Sequence, residues 1–286
     1  MPGMSRPQPG ILADVPTACR YLFLSPRAGG DVDAALRELN SRPIDASLVV
    51  GLGLPTLAAL GREVDGLRVH PSLAGPGVSV PSTQAGLWLW LRGDDRGELL
   101  HRSRDLVDAL VDGFELDDVI DGFRFREGRD LSGYVDGTEN PEGDAAVAAA
   151  FDPSGGSFVA VQRWIHDLDR LEAMAPEDRD HIVGRRLEDN EELDDAPVTA
   201  HVKRTAQESF SPEAFVLRRS MPWADPDGEG LVFVAFGRSF AAYEALLGRM
   251  VGHEDGLTDA LFRFTRPVSG SYFWCPAIDA DGRLQI

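Results

Sequence analysis

One rhythm recurs along this chain: strand, helix, strand, and then strand, helix, strand again. Its first statement begins at Cys19–Leu24, which reads as a strand. Asp31 can cap a helix through Leu39, with Val32, Leu36 and Leu39 apolar at roughly helical spacing. Ser47–Leu52 is a short apolar run of the buried-strand kind. Leu87–Leu91 alternates Leu and Trp, so Trp88 and Trp90 share one face of a strand and the leucines the other. Leu99–Val111 then reads as a helix, with Leu99, Leu106, Leu110 and Val111 facing inward. In the second statement Phe158–Ile165, Phe215–Arg219 and Leu231–Phe236 read as strands. Ser239 can cap a helix whose inner stripe is Phe240, Tyr243, Leu246, Leu247 and Met250, and Ser271–Cys275 closes the series as a strand.

This order is the ferredoxin-like one, and its recurrence predicts an α+β protein of two ferredoxin-like halves, each an antiparallel sheet with helices packed on it. With 286 residues, 43% of them hydrophobic, the chain can bury one large core or two ordinary ones. Residues 130–156 are rich in Gly, Asp and Pro, a linker-like composition. The boundary is therefore set between 1–132 and 133–286, and ligands often bind at such joins. A net charge of −19 argues against binding nucleic acid or an anionic membrane surface. No apolar run approaches the roughly 18 residues that span a bilayer. Residues 1–10 lack the apolar centre of a secretory signal. Two cysteines, Cys19 and Cys275, stand apart from any metal-clip spacing, so the expected setting is the reducing cytoplasm. The acidic segment Glu188–Asp195 reads as a solvated loop, with a cation-attracting collar or a subunit contact as the alternatives.

Familiar catalytic signatures are missing. None of the six histidines forms a His-Glu-x-x-His pair; there is no Gly-x-Ser-x-Gly elbow, no phosphate-binding loop, and Gly51-Leu52-Gly53 lacks a third glycine. Three stretches remain. Gly133-Tyr134-Val135-Asp136-Gly137-Thr138-Glu139-Asn140-Pro141 sets a carboxylate in a glycine-bounded turn, where the backbone can approach a flat ligand closely. Pro197–Thr205 contains His201 among small or apolar neighbours, with Arg204 three places on. Val216–Pro222 ends an apolar strand in Arg218 and Arg219, which point to opposite faces if the strand is regular, so only one can serve a site. Taken singly, these are a turn, a hydrogen-bonded histidine and a solvated strand end.

Together, and in this order, the three stretches resemble the distal acid, proximal histidine and distal arginine of the dye-decolourising haem peroxidases of the bacterial B-type group. The likeness extends through Gln8–Leu12, Pro81–Gln84 with Leu87–Gly93, Gly122–Arg124, Arg129–Leu131 and Arg263–Gly270. The resemblance implies haem b held mainly by the second half and hydrogen peroxide as oxidant. It also implies a ferryl intermediate and a broad range of reductants that includes dyes and phenols. It makes His201 the axial ligand of iron and Asp136 and Arg218 the catalytic pair. Val135, Gly137, Thr138, Glu139, Arg204, Ser220 and Phe233 become the expected cofactor contacts, Arg204 as a propionate partner. Asp259 is the expected acid behind His201, with Asp255 as its rival. An ordinary carboxylate stays charged well below pH 6, which predicts activity in mild acid. Trp164, Tyr272 and Trp274 are candidate electron relays to bulky substrates. A homo-oligomer is expected, and Asp279–Ile286 shows no tail for docking in a nanocompartment. The rival readings are a haem-delivery protein, a chlorite-acting enzyme on the same fold, and an α+β dimer without cofactor.

Overall fold

The structure, a computed structural model, describes residues 5–286; the first four residues of the Pro/Gly-rich N-terminal stretch lie outside the described residues. The first half runs α1 (Pro9–Leu12), β1 (Ala18–Pro26), α2 (Val32–Leu39), β2 (Leu48–Leu52), α3 (Leu54–Ala59), the hairpin β3 (Leu73–Gly75) and β4 (Val78–Val80), β5 (Leu87–Gly93), α4 (Arg96–Leu110) and β6 (Phe114–Phe123). The second runs α5 (Gly143–Ala150), β7 (Ser157–His166), α6 (Leu168–Glu172), α7 (Pro176–Val183) and α8 (His201–Arg204). It continues through β8 (Leu217–Arg218), β9 (Met221–Asp225), β10 (Gly228–Gly237), α9 (Ala241–Met250), β11 (Thr265–Pro267) and β12 (Ser271–Cys275). No helix among the described residues is long and apolar enough to cross a membrane.

The strands of the first half lie in the order β6-β1-β5-β2, and those of the second in the order β12-β7-β10-β9, all antiparallel. Two seams join them. Leu52 of β2 pairs with Trp274 of β12, and Gly122 of β6 pairs with Trp223 of β9. The sheet thereby closes on itself as a barrel of eight strands, with β8 and β11 on its margins.

Alternation along the strands sorts side chains into two cores. Tyr21, Trp88, Trp90, Trp223, Phe236 and Phe273 fill the barrel interior. Leu22, Leu24, Leu87, Leu89 and Leu91 point outward against the apolar stripes of α2 and α4. The expected split of Trp88 and Trp90 from the β5 leucines is thus a split between barrel interior and helix layer. Asp31 Oδ1 accepts from the Ala34 N–H at 2.9 Å, which starts α2 as its spacing predicts. Val111, expected inward, is 49% exposed, because α4 ends at Leu110. The arginine strand shrinks to the two residues of β8, and the linker-like segment contains α5.

Candidate active site

A cavity of about 370 Å³ opens on the outer face of the second half, between the sheet and helices α8 and α9. Leu231, Phe233, Leu246, Leu247, Met250 and Phe264 give it apolar walls. Alternation puts Gln162, Trp164 and His166 of β7 on this face, while Val159 and Val161 enter the barrel. The spacing of Tyr243, Leu246, Leu247 and Met250 on α9 turns all four toward the cavity. Asp136, His201 and Arg218 line it together, although 65 and 17 positions separate them along the chain.

Asp136 sits in a turn whose glycines have left-handed backbones, Gly133 at φ 93° and Gly137 at φ 76°. A Cβ on Gly137 would also stand 2.9 Å from Asn140 Nδ2, so the turn needs glycine there on two counts. Arg218 Nη1 stands 3.5 Å from Asp136 Oδ1, with both side chains about a fifth to a quarter exposed. Asn140 fixes the approach. Its Oδ1 accepts from the Arg218 N–H at 2.8 Å and its Nδ2 donates to the Arg218 carbonyl at 3.0 Å, as a neighbouring strand would. Gln207 makes a second tie, donating to the Glu139 carbonyl at 2.8 Å and accepting from the Val216 N–H at 3.1 Å. Arg219 points the other way and donates to the carbonyls of Ile11 and Leu12.

His201 opens α8. Its Nδ1 lies 2.7 Å from Oδ2 of Asp259, whose side chain is wholly buried. A carboxylate only accepts, so Nδ1 carries the proton and Nε2 keeps its lone pair. The other Asp259 oxygen accepts from the Leu261 N–H at 2.8 Å, which fixes the carboxylate in turn. Asp255 is not the partner. It forms a forked pair with Arg204 at 2.7 and 2.9 Å, and those hydrogen bonds hold its carboxyl down to about 2.

Four of the remaining expected contacts, Val135, Thr138, Glu139 and Phe233, line the cavity. Three do not. Arg204 is buried against Asp255 and the Arg249 carbonyl, so its guanidinium is already satisfied away from the wall. Ser220 turns its hydroxyl to the Val234 N–H of β10. Gly137 contributes backbone shape alone. The cations on the wall besides Arg218 are Arg185 and Lys203, each paired to an acid of the rim: Arg185 with Glu139 and Lys203 with Glu192, both at 2.6 Å. Of the relay candidates, Trp164 lines the cavity, Tyr272 is buried behind it and Trp274 lies at the seam with β2.

Sequence reasoning missed a buried triad on the same wall. His166 Nε2 lies 3.0 Å from Asp130 and Nδ1 lies 2.7 Å from the Thr265 hydroxyl. Burial works against charge on Asp130, but hydrogen bonds from His166 and Ser132 outweigh it and hold the carboxyl below its usual range. Nothing in the spacing of 130, 166 and 265 announces this meeting. The His201–Asp259 pair was reached only through the resemblance.

Residues 127–280, more than half of the chain, match the sequence pattern described as Dyp-type peroxidase, C-terminal. The chain belongs to the Dyp-type peroxidase family. It is therefore a peroxidase, with the paired acid and arginine of its cavity set in the matching region. A dye-decolorizing peroxidase of Rhodococcus erythropolis is 30% identical over 96% of this chain and 87% of its own. The DyPB structure from Rhodococcus jostii RHA1 superposes with a TM-score of 0.85, at 28% identity and 98% coverage of both chains. A variant of that protein solved in complex with heme gives 0.83, at 27% identity, over 94% of this chain and 95% of its own.

Proposed function

We propose that this peroxidase seats haem b in the cavity, takes hydrogen peroxide as its oxidant, and oxidises small-molecule reductants such as dyes and phenols. The observation that carries this reading is one cavity bounded both by a histidine nitrogen backed by a buried acid and by a carboxylate–guanidinium pair. The donor set fits such a group. The walls are apolar, as a macrocycle requires. The Gln162 side-chain NH2 on the wall is buried without a partner among the described residues, and Arg185 and Lys203, each paired to a rim acid, are the wall cations besides Arg218 that propionates would meet. Bound there, the iron would supply cleavage of the peroxide O–O bond and return that oxidation to reductants one electron at a time.

The chain's own residues divide the remaining work. His201 Nε2 would hold the iron, and the Asp259 hydrogen bond orients the ring for that task. Asp136 accepts a proton from one peroxide oxygen and delivers it to the oxygen that leaves as water. Arg218 holds the negative charge that builds on the separating oxygens. Asn140 and Gln207 keep β8 beside the Asp136 turn, so neither group has to move to meet the other. The repeated strand order supports two ferredoxin-like halves, divided at 1–132 and 133–286, with the cofactor in the second. Two free, buried cysteines suit a cytoplasmic setting, and the family resemblance carries the expected homo-oligomer.

A Soret band that shifts on adding peroxide is the first expected result. Stopped-flow absorption should then show the peroxide reaction slowed about 10²–10⁴-fold in Asp136→Asn and about 10²–10³-fold in Arg218→Leu. His201→Ala should lose the iron–imidazole vibration in resonance Raman spectra. If only Arg218→Leu slows the reaction, Asp136 merely shapes the pocket and the proton-transfer role is wrong.

A further inference from the structure

The buried triad on the cavity wall takes no part in peroxide cleavage, yet it lies at the root of the loop that carries Asp136. Residues 128–136 form a narrow arm tied to itself. The Asp136 N–H donates to the Gly128 carbonyl at 3.1 Å, the Asp130 N–H to the Tyr134 carbonyl at 2.9 Å, and the Gly133 N–H to the Asp130 carbonyl at 2.8 Å. Arg129 and Val135 pair across the arm, and Arg129 Nη1 donates to the Gly133 carbonyl at 2.7 Å. An arm bonded in this way moves as one piece, so its fastening decides where Asp136 stands. Two of its side chains reach the body of the second half. The Tyr134 hydroxyl donates to Asp180 Oδ1 on α7 at 2.6 Å. Asp130 Oδ2 meets His166 Nε2 at 3.0 Å, and the imidazole is 5% exposed.

His166 ends β7 and Thr265 opens β11, and the register of these antiparallel strands sets the two residues opposite each other. Thr265 Oγ1 lies 2.7 Å from His166 Nδ1 and 3.0 Å from the Ile165 carbonyl. Burial opposes charge on Asp130 but its hydrogen bonds outweigh it, so the carboxylate accepts and Nε2 carries the proton. The Thr265 hydroxyl then donates to Nδ1. The same hydroxyl can turn, donate to the Ile165 carbonyl and accept from an Nδ1–H, which leaves Nε2 free to accept. Thr265 therefore lets the imidazole meet either an acceptor or a donor at position 130. In both cases the other Asp130 oxygen keeps the Ser132 N–H at 2.8 Å.

We propose that His166 and Thr265 are positioning residues for the peroxide reaction: through Asp130 they fasten the 128–136 arm to β7 and β11 and so hold Asp136 against Arg218. This role rests on the proton-transfer reading of Asp136 above. A general acid–base works only within hydrogen-bond reach of the proton it moves. Misplacing such a group by about 1 Å can cost on the order of 10²-fold in rate. Asp136 and Arg218 approach to 3.5 Å from separate stretches of chain, and each needs its own support. Asn140 holds the backbone of Arg218, and the triad holds the arm of Asp136.

The test is a double-mutant cycle on the haem-loaded protein, read by stopped-flow absorption and by amide hydrogen exchange. Asp130→Asn can donate its amide to Nε2 once the Thr265 hydroxyl turns, so it should react with peroxide within about threefold of the parent. Thr265→Val should also stay within about threefold, because ionised Asp130 still accepts from Nε2. Combined, the two leave Nδ1–H without an acceptor and should slow the reaction at least about tenfold beyond the product of the single effects. Asp130→Ala and His166→Phe break the link outright. Each should slow the reaction at least about tenfold and speed exchange of the Asp136 and Gly133 amides, with the iron–imidazole vibration unchanged. The asparagine and valine variants keep side-chain shape, and they decide the matter alone should Asp130→Ala or His166→Phe fail to fold. Single effects that simply multiply in the cycle, or parent-like rate and exchange in a folded Asp130→Ala, overturn the anchor. If Asp136→Asn is slow in the same assay, the functional reading then stands. An Asp136→Asn variant as fast as the parent overturns both.

Discussion

Asn140 binds Arg218 through both of the latter's backbone groups, so one amide side chain replaces a missing strand neighbour at the two-residue β8. Removing it should cost more activity than stability. Asn140→Ala leaves the Arg218 N–H without its side-chain acceptor at a half-buried position, and the Arg218 carbonyl keeps only the Arg219 Nη1 donor, a loss of about 1–3 kcal/mol. Asn140→Asp can still accept from the Arg218 N–H but sets a carboxylate oxygen against the Arg218 carbonyl. Both variants are expected to slow the peroxide reaction at least tenfold while urea unfolding shows the protein still folded. Unchanged kinetics in either would mean that Arg218 needs no such clamp. The clamp also marks where reading the sequence stops. That Asp136, His201 and Arg218 stand out was legible because few side chains can replace a carboxylate, an imidazole or a guanidinium in the roles proposed for them, and all three line one cavity. Asn140 lay inside the same glycine-bounded motif yet drew no role of its own, since nothing local says which distant backbone an amide will meet. Arg204 failed for the same reason in reverse: one turn from His201 it looked available, but Asp255, 51 residues later, had claimed it.

Among the elements, β5 and α9 were legible because their periods, 2 and 3.6, survive in the side chains themselves. β6 was not. Glu115, Leu116, Asp117 and Asp118 are all exposed, and the strand is held by its long pairing with β1 while meeting β9 at Gly122 alone. Its outer stretch is an edge, and carboxylates on an edge discourage another strand from adding there. The charges that protect the strand are therefore what erased its apolar alternation. Asp117 also accepts from the Ser25 hydroxyl at 2.6 Å, within the β1–β6 pair. Replacing the acids with strand formers, in Glu115→Thr/Asp117→Val/Asp118→Thr, should give species larger than the parent that grow with concentration in static light scattering. A variant whose mass matches the parent throughout would show that shape, not charge, guards this edge.

At the scale of the whole molecule, the mixture of strands and helices was readable and the closure of the sheet into a barrel was not, because each seam rests on one registered pair between distant strands. What holds the halves together includes His70, contributed by the first and packed against Tyr243 and Tyr272 of the second. That contact makes stability depend on pH. Burial depresses the folded-state value from 6.5 to about 4, and the nearby Glu244 carboxylate only partly opposes it. Between those values the unfolded chain binds a proton at this site and the folded chain does not. Unfolding is then favoured as pH falls through 6.5, and the loss levels off below about 4. No penalty applies above the unfolded value. A shift of this size corresponds to at most about 3 kcal/mol. His70→Gln keeps a hydrogen-bonding group beside Tyr243 but cannot titrate. Urea midpoints measured for parent and variant from pH 7 to pH 4 should therefore converge as the medium becomes acid, with the parent losing stability faster. Parallel curves across that range would mean that His70 is protonated in the folded state as readily as in the unfolded one, and that it does not make the seam between the halves acid-sensitive.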